Sequence, residues 1–285
     1  MRIIIISFIL LLGISNSIGQ DFSKSLKYSY KNNETDSLLR LLRQWNDNIQ
    51  SNEAKFSKDE IVSAVYSIFN EFYTPFNLNR IGSSEWGDSL YLNKFAIVQN
   101  QIKYVIAEFP NADTIVIESG EDTLTLSNLE NKYGKDSQIY GYYENLKNPI
   151  VKNLDKVVLN DFRPKTTLPP DKILYLTEEY KSELIQFLGD QHSKLSEGGI
   201  MNPARATSKT WKRQSFLNNY LNVIYGHWGG YWQLETHPEV SLIVINQALT
   251  KALVYFRLVY EGGNAYLERQ NGEWILIESK LTWIE

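Results

Sequence analysis

Apolar positions along the chain keep two different rhythms. Leu38, Leu41, Leu42, Trp45 and Ile49 fall three and four apart, the spacing of one helix face, with Thr35 and Asp36 ahead of them as cap residues. A second stripe runs through Ile61, Val65, Ile68, Phe69 and Phe72. It follows Ser57-Lys58-Asp59-Glu60, which reads as a capping box, serine and glutamate satisfying each other's backbone donors. Pro75 ends that helix. From Leu92 the period falls to two. Residues Leu92–Val98, Ile102–Glu108, Thr114–Glu118 and Thr123–Leu126 are short, β-branched or aromatic runs between polar turns, and they predict an antiparallel meander. Two helices and a meander predict a first α+β domain over residues 20–165. Lys156–Asn160 and Ile173–Leu176 are further short strands, joined by the stiff Thr166–Pro170 connector.

A second domain is predicted over residues 166–285. Two helices open it: Glu178 to Leu188, stopped by Gly189, and Trp211 to Tyr225, stopped by Gly226. The aperiodic stretch between them, Ser193–Lys209, has the length of a functional or a mobile loop. Tyr231–Thr236, Ser241–Asn246, Ala252–Glu261, Ala265–Gln270 and Glu273–Glu285 follow as antiparallel strands. Asn271-Gly272 sets a two-residue hairpin, because both central turn positions need positive φ. On the third of these strands Ala252, Val254, Phe256, Leu258 and Tyr260 share one nearly apolar face, expected to pack on the preceding helices. Leu253, Tyr255, Arg257, Val259 and Glu261 share the mixed opposite face.

The first twenty residues change the picture of where this fold resides. Arg2, the apolar run Ile3–Ile14 and the small residues Ser17 and Gly19 follow the order of a cleaved secretory signal over residues 1–19. The expected destination is the periplasm or the medium, with no membrane span after cleavage. The chain has no cysteine, so no disulfide staples it and burial of apolar surface must stabilise the fold. A net charge of −4 argues against the basic footprint of nucleic-acid binding.

The closing strands carry a resemblance. Gly262-Gly263-Asn264-Ala265-Tyr266-Leu267-Glu268, then Asn271-Gly272-Glu273-Trp274-Ile275-Leu276, then Leu281-Thr282-Trp283-Ile284-Glu285 resemble the end of the nuclear transport factor 2 and ketosteroid isomerase superfamily. The resemblance covers roughly residues 170–285. It implies a cone, a bent sheet wrapped around helices with an apolar pocket at its open end. Such cones host isomerases, hydrolases, binders and interaction domains, so the fold does not select the function.

Few residues carry catalytic chemistry. His192, His227 and His237 are the only histidines, no phosphate-cradling loop or nucleophile elbow is present, and neither a metal site nor a cofactor is expected. His227 is the one weak acid–base candidate. A pocket at the open end would be lined by Tyr220, Trp232, Phe256, Tyr260 and Trp283. Arg205, Lys209, Lys212 and Arg213 form a basic run with no acid among them and would receive an anionic ligand or partner. Three functions follow as expectations. The first is a non-catalytic exported protein that binds a small molecule or another protein. The second is an isomerase or hydrolase using the apolar pocket, which a buried titratable group beside an open cavity would favour. The third is a homodimer formed through the mixed face with Leu253, Tyr255 and Val259.

Overall fold

The computed structural model describes residues 21–82, 90–91, 94–111, 113–119, 122–135, 137–138, 143–189, 208–226 and 232–284. Residues 1–19, expected to be a secretory signal, lie outside them, as do Arg205 and His227. The architecture is α+β. Residues 21–31 are helical (α1), followed by α2 (Thr35–Asn48) and α3 (Glu60–Phe72). Further along come α4 (Leu126–Tyr133), α5 (Glu178–Leu188) and α6 (Ser208–Leu217).

The capping box expected at α3 is displaced. Asp59 is the cap, its Oδ1 accepting from the N–H groups of Ile61 at 3.1 Å and Val62 at 3.0 Å. A carboxylate at that position reaches two free donors and meets the positive end of the helix dipole. Ser57, two residues earlier, donates instead to the Ala54 carbonyl. The expected helix 211–225 stops at Leu217, because the Asn218 side chain turns back to accept from the Val223 N–H at 2.9 Å.

Six strands form the main sheet. In spatial order they are β12 (Glu273–Ile284), β11 (Glu261–Gln270), β10 (Lys251–Leu258), β9 (Glu239–Ile245), β2 (Gln101–Ile106) and β5 (Val157–Asn160). The last four strands of the chain form the expected antiparallel succession, and Asn271 and Gly272 adopt φ of 53° and 91° in the hairpin. The meander expected over 92–126 is replaced by longer-range pairing. β2 runs parallel to β9, with Tyr104 opposite Ile243, and antiparallel to β5. β1 (Ala96–Gln99) pairs in parallel with β6 (Ile173–Leu176). Only β3 (Val116–Ser119) and β4 (Asp122–Thr125) form a local hairpin in that region. A last short pair joins β7 (Ile224–Tyr225) to β8 (Trp232–Gln233).

All four residues of β1 are buried, which requires apolar cover on both of its faces. Strand alternation supplies it. Ala96, Val98, Ile173 and Tyr175 enter a first core, whereas Ile97, Leu174 and Leu176 enter a second. The β1–β6 ribbon is thus a wall between two cores. The first joins the α3 stripe to the inner sheet face, with Val254, Phe256, Leu267 and Trp274. The second gathers α1, α2, α5 and α6. There Trp45 stacks on Tyr180 at 4.2 Å and donates to the Tyr175 carbonyl at 3.1 Å. The expectation that α5 and α6 cover the sheet is corrected: α3 covers it, and α5 and α6 join the N-terminal helices. The boundary placed at residues 165/166 accordingly runs through one hydrogen-bonded sheet and two shared cores.

The outer sheet face is also covered. Val105, Ala107, Leu242, Val244 and Leu253 pack there with Phe109, Val151, Tyr255 and Tyr266. Phe109 and Val151 belong to the long excursion from β2 to β5, which crosses this face. Leu253 is therefore buried by the chain itself, and Val259 is buried in the turn after β10. These residues do not form the open dimer surface expected of them.

Candidate ligand-binding site

The five aromatic residues expected to share a pocket occupy separate places. Phe256 is 2% exposed in the first core, its ring 5.0 Å from that of Phe72. Trp232 is buried in the second core and donates to the Gly189 carbonyl at 3.3 Å. Tyr220 packs at the edge of that core. Tyr260 donates to the Tyr225 carbonyl at 3.3 Å. Trp283, 46% exposed, lays its ring against Gly262 on the neighbouring strand. The α3 aromatics fill the space that a pocket on the inner face would need.

The basic run divides as well. Lys209 and Lys212 are exposed on α6. Arg213 donates to the Phe187 carbonyl at 2.8 Å with its guanidinium 5.8 Å from the Phe187 ring. It serves the C-terminal end of α5.

A wider concavity lies on the opposite, outer face. It is a basin of about 690 Å³ between the excursion and the sheet. Leu253, Asn264 and Tyr266 form its floor, brought together by the pairing of Leu253 with Tyr266 across β10 and β11. Phe109 and Pro110 wall one side, and Ile277 and Leu281 another. Lys135, Lys147, Lys251 and Lys280 also line it. Glu278, the one carboxylate among its described lining residues, is held between Lys280 at 2.8 Å and Lys147 at 3.6 Å. Tyr266 donates to Glu268 at 2.8 Å, and its phenol is pushed upward by burial and by that carboxylate, so it stays neutral.

A smaller cleft of about 220 Å³ opens where the β1–β6 ribbon meets β9. Glu178, Lys181, Glu235 and Glu239 line it with Gln99, Asn100 and Lys103. Burial first, then the Glu235 carboxylate, raises the Glu239 carboxyl to about 6, against the pull of Arg257 and Lys181. His237, two residues away, is fully buried and lowered to about 3 by desolvation and then by the Arg257 charge. Its Nε2 lies 2.8 Å from Gln233 Oε1 and its backbone N–H donates to Tyr91 at 3.0 Å.

The lysine basin was out of reach of sequence reading, because Lys251, Asn264, Tyr266 and Lys280 converge only through cross-strand register. The alternation Glu235-x-His237-x-Glu239 was the one local sign of the cleft. Among the described residues no group of three or more His, Cys, Asp or Glu side chains is placed to hold a metal ion, and no helix is long and apolar enough to cross a membrane. Compared with known proteins, the chain matches no family model, no curated protein and no solved structure.

Proposed function

We propose that this chain is an exported, non-catalytic binding protein that takes a small organic anion with an apolar body into the outer basin. One observation carries the reading: a floor of Leu253, Asn264 and Tyr266 enclosed by four lysines, where the one carboxylate among the described lining residues has a lysine at each oxygen. Such a wall attracts negative charge and sets hydrocarbon and ring surface beside it. The resemblance to cone-shaped folds fits a binder equally well and remains part of the proposal. The expected result is one-to-one binding of the anionic fluorophore 1-anilinonaphthalene-8-sulfonate in a calorimetric titration. Asn264→Trp, which fills the floor, should abolish binding, and Lys251→Glu should weaken it about tenfold, roughly 1.4 kcal/mol. Unchanged binding in both variants would reject the basin.

The Glu239 cleft favours a second reading, acid–base catalysis, since a carboxyl near pH 6 beside open space suits proton transfer. Chromogenic ester, phosphate and glycoside substrates should then show turnover that changes near pH 6 and disappears in Glu239→Gln. Turnover of equal size in that variant would remove Glu239 from the chemistry.

A further inference from the structure

A third concavity has a different chemistry from the other two. It is a shallow groove of about 500 Å³ lined by Trp211, Gln214, Asn218, Asn222, Tyr225 and Tyr260, with Val223 and Ile224 behind them. None of these side chains carries a charge at neutral pH, in a protein where about a fifth of residues do. Three rings and three amides do the lining.

The rings are held rigidly. Trp211 meets Tyr225 edge-on at 5.2 Å and 70°, and Trp232 at 6.2 Å and 81°. Tyr225 meets Trp232 at 5.0 Å and 67°. Trp232 is buried in the second core, so it anchors the two outer rings from below. Trp211 nonetheless leaves 43% of its surface in water, an unusual state for a side chain that buries so much area when covered. The amides are oriented by the backbone. Gln214 Nε2 donates to the Val223 carbonyl at 2.7 Å and Asn222 Nδ2 to the Leu90 carbonyl at 3.1 Å, while Asn218 accepts from the Val223 N–H at 2.9 Å and donates to the Val223 carbonyl at 3.4 Å. A primary amide has two donors and two lone pairs, so these bonds orient each amide without exhausting it.

We infer that this groove is a carbohydrate-binding site for a neutral oligosaccharide. A pyranose ring presents C–H groups on its faces and hydroxyls at its edge. The faces match the exposed indole and phenol rings, and the hydroxyls match amides that both donate and accept. Among the described residues the lining is uncharged, which selects against uronates, sulfated sugars and phosphates, since these would be desolvated there without a counter-charge. A protein partner is less well matched, because the aliphatic surface is withdrawn: Val223 is buried and Ile224 half-buried. The site lies apart from the lysine basin, shares no lining residue with it, and does not depend on the basin reading.

The test is a screen of the full chain on an array of neutral and acidic glycans, followed by calorimetry with the oligosaccharides retained. Neutral oligosaccharides should bind and shift the tryptophan fluorescence, and acidic ones should not. Trp211→Ala should lower affinity at least tenfold, and Gln214→Glu, which places a charge in the groove, should do the same. Thermal melts of both variants check that the fold persists. Should either variant melt far below the wild type, Trp211→Phe decides, with an affinity between those of wild type and Trp211→Ala. Binding of acidic glycans alone, no neutral glycan bound, or full affinity retained in Trp211→Ala would each overturn the assignment. So would self-association that depends on Trp211 in sedimentation with no glycan bound.

Discussion

Between pH 7 and pH 4 the protein should lose about 3 kcal/mol of stability through His237 alone. The sign follows from where the proton goes. The folded-state value is lowered to about 3 from 6.5, so below pH 6.5 the unfolded chain takes up a proton that the buried ring refuses. Stability from this group is complete above the unfolded value and drains away as pH falls toward 3. Glu239 acts in the opposite direction. Its carboxyl is raised to about 6 from 4.5, so its contribution is complete below 4.5 and lost as pH rises through 6, about 2 kcal/mol in all. Urea unfolding at pH 4, 5, 6 and 7 separates the two. The stability gap between wild type and His237→Gln should shrink by about 3 kcal/mol on acidification. In Glu239→Gln the acid loss should steepen relative to wild type. Parallel curves for all three proteins would mean that neither group is held in the surroundings described for it.

Gly263→Ala should destabilise the fold by at least about 3 kcal/mol, more than any other glycine substitution in the hairpins. Gly262 and Gly263 sit where the β11–β12 register shifts. A Cβ on Gly263 would be driven into the Lys280 carbonyl, and backbone has no rotamer by which to withdraw. Relief requires the two strands to part, which loosens the Trp274 and Leu267 packing beyond them. Gly262→Ala collides instead with the Trp283 ring, which is half in water and swings clear at smaller cost. Gly272→Ala meets nothing within 4 Å and pays only for its positive φ of 91°, about 1 kcal/mol. Chemical unfolding should rank the three in that order. A Gly263→Ala protein as stable as Gly272→Ala would show that the strands are not so closely apposed.

Elements set by local chemistry were legible in the sequence. The α2 and α3 stripes, the Asn271-Gly272 turn and the closing strands each rest on residues within one turn or one hairpin of each other. What could not be read was pairing at a distance. Nothing near Tyr104 indicates Ile243 as its neighbour, and nothing in the β1 run tells that its two faces serve different cores. The candidate sites failed to appear for the same reason. Phe256 was correctly placed on an apolar face, but the ring that fills the space above it, Phe72, comes from a helix assigned to another domain. The lysines of the basin arrive from two strands and an excursion, and no spacing along the chain connects them. Trp232, read as a pocket-lining ring, instead supports the rings of the neutral groove from within the second core.

The parallel pairing of β2 with β9 has a consequence for how the chain is made. Gln99, at the entry to β2, clamps Val240 through both of its amide atoms, yet Val240 is 141 residues further along. A ribosome that has delivered β2 must therefore add nearly half the protein before that strand has its central neighbour. Until then β2 has only the edge strand β5 to pair with, and contacts of such separation form late. Nascent chains halted before residue 239 should stay protease-sensitive and bind chaperones. Completion of the last four strands is what turns that pliable thread into a folded product.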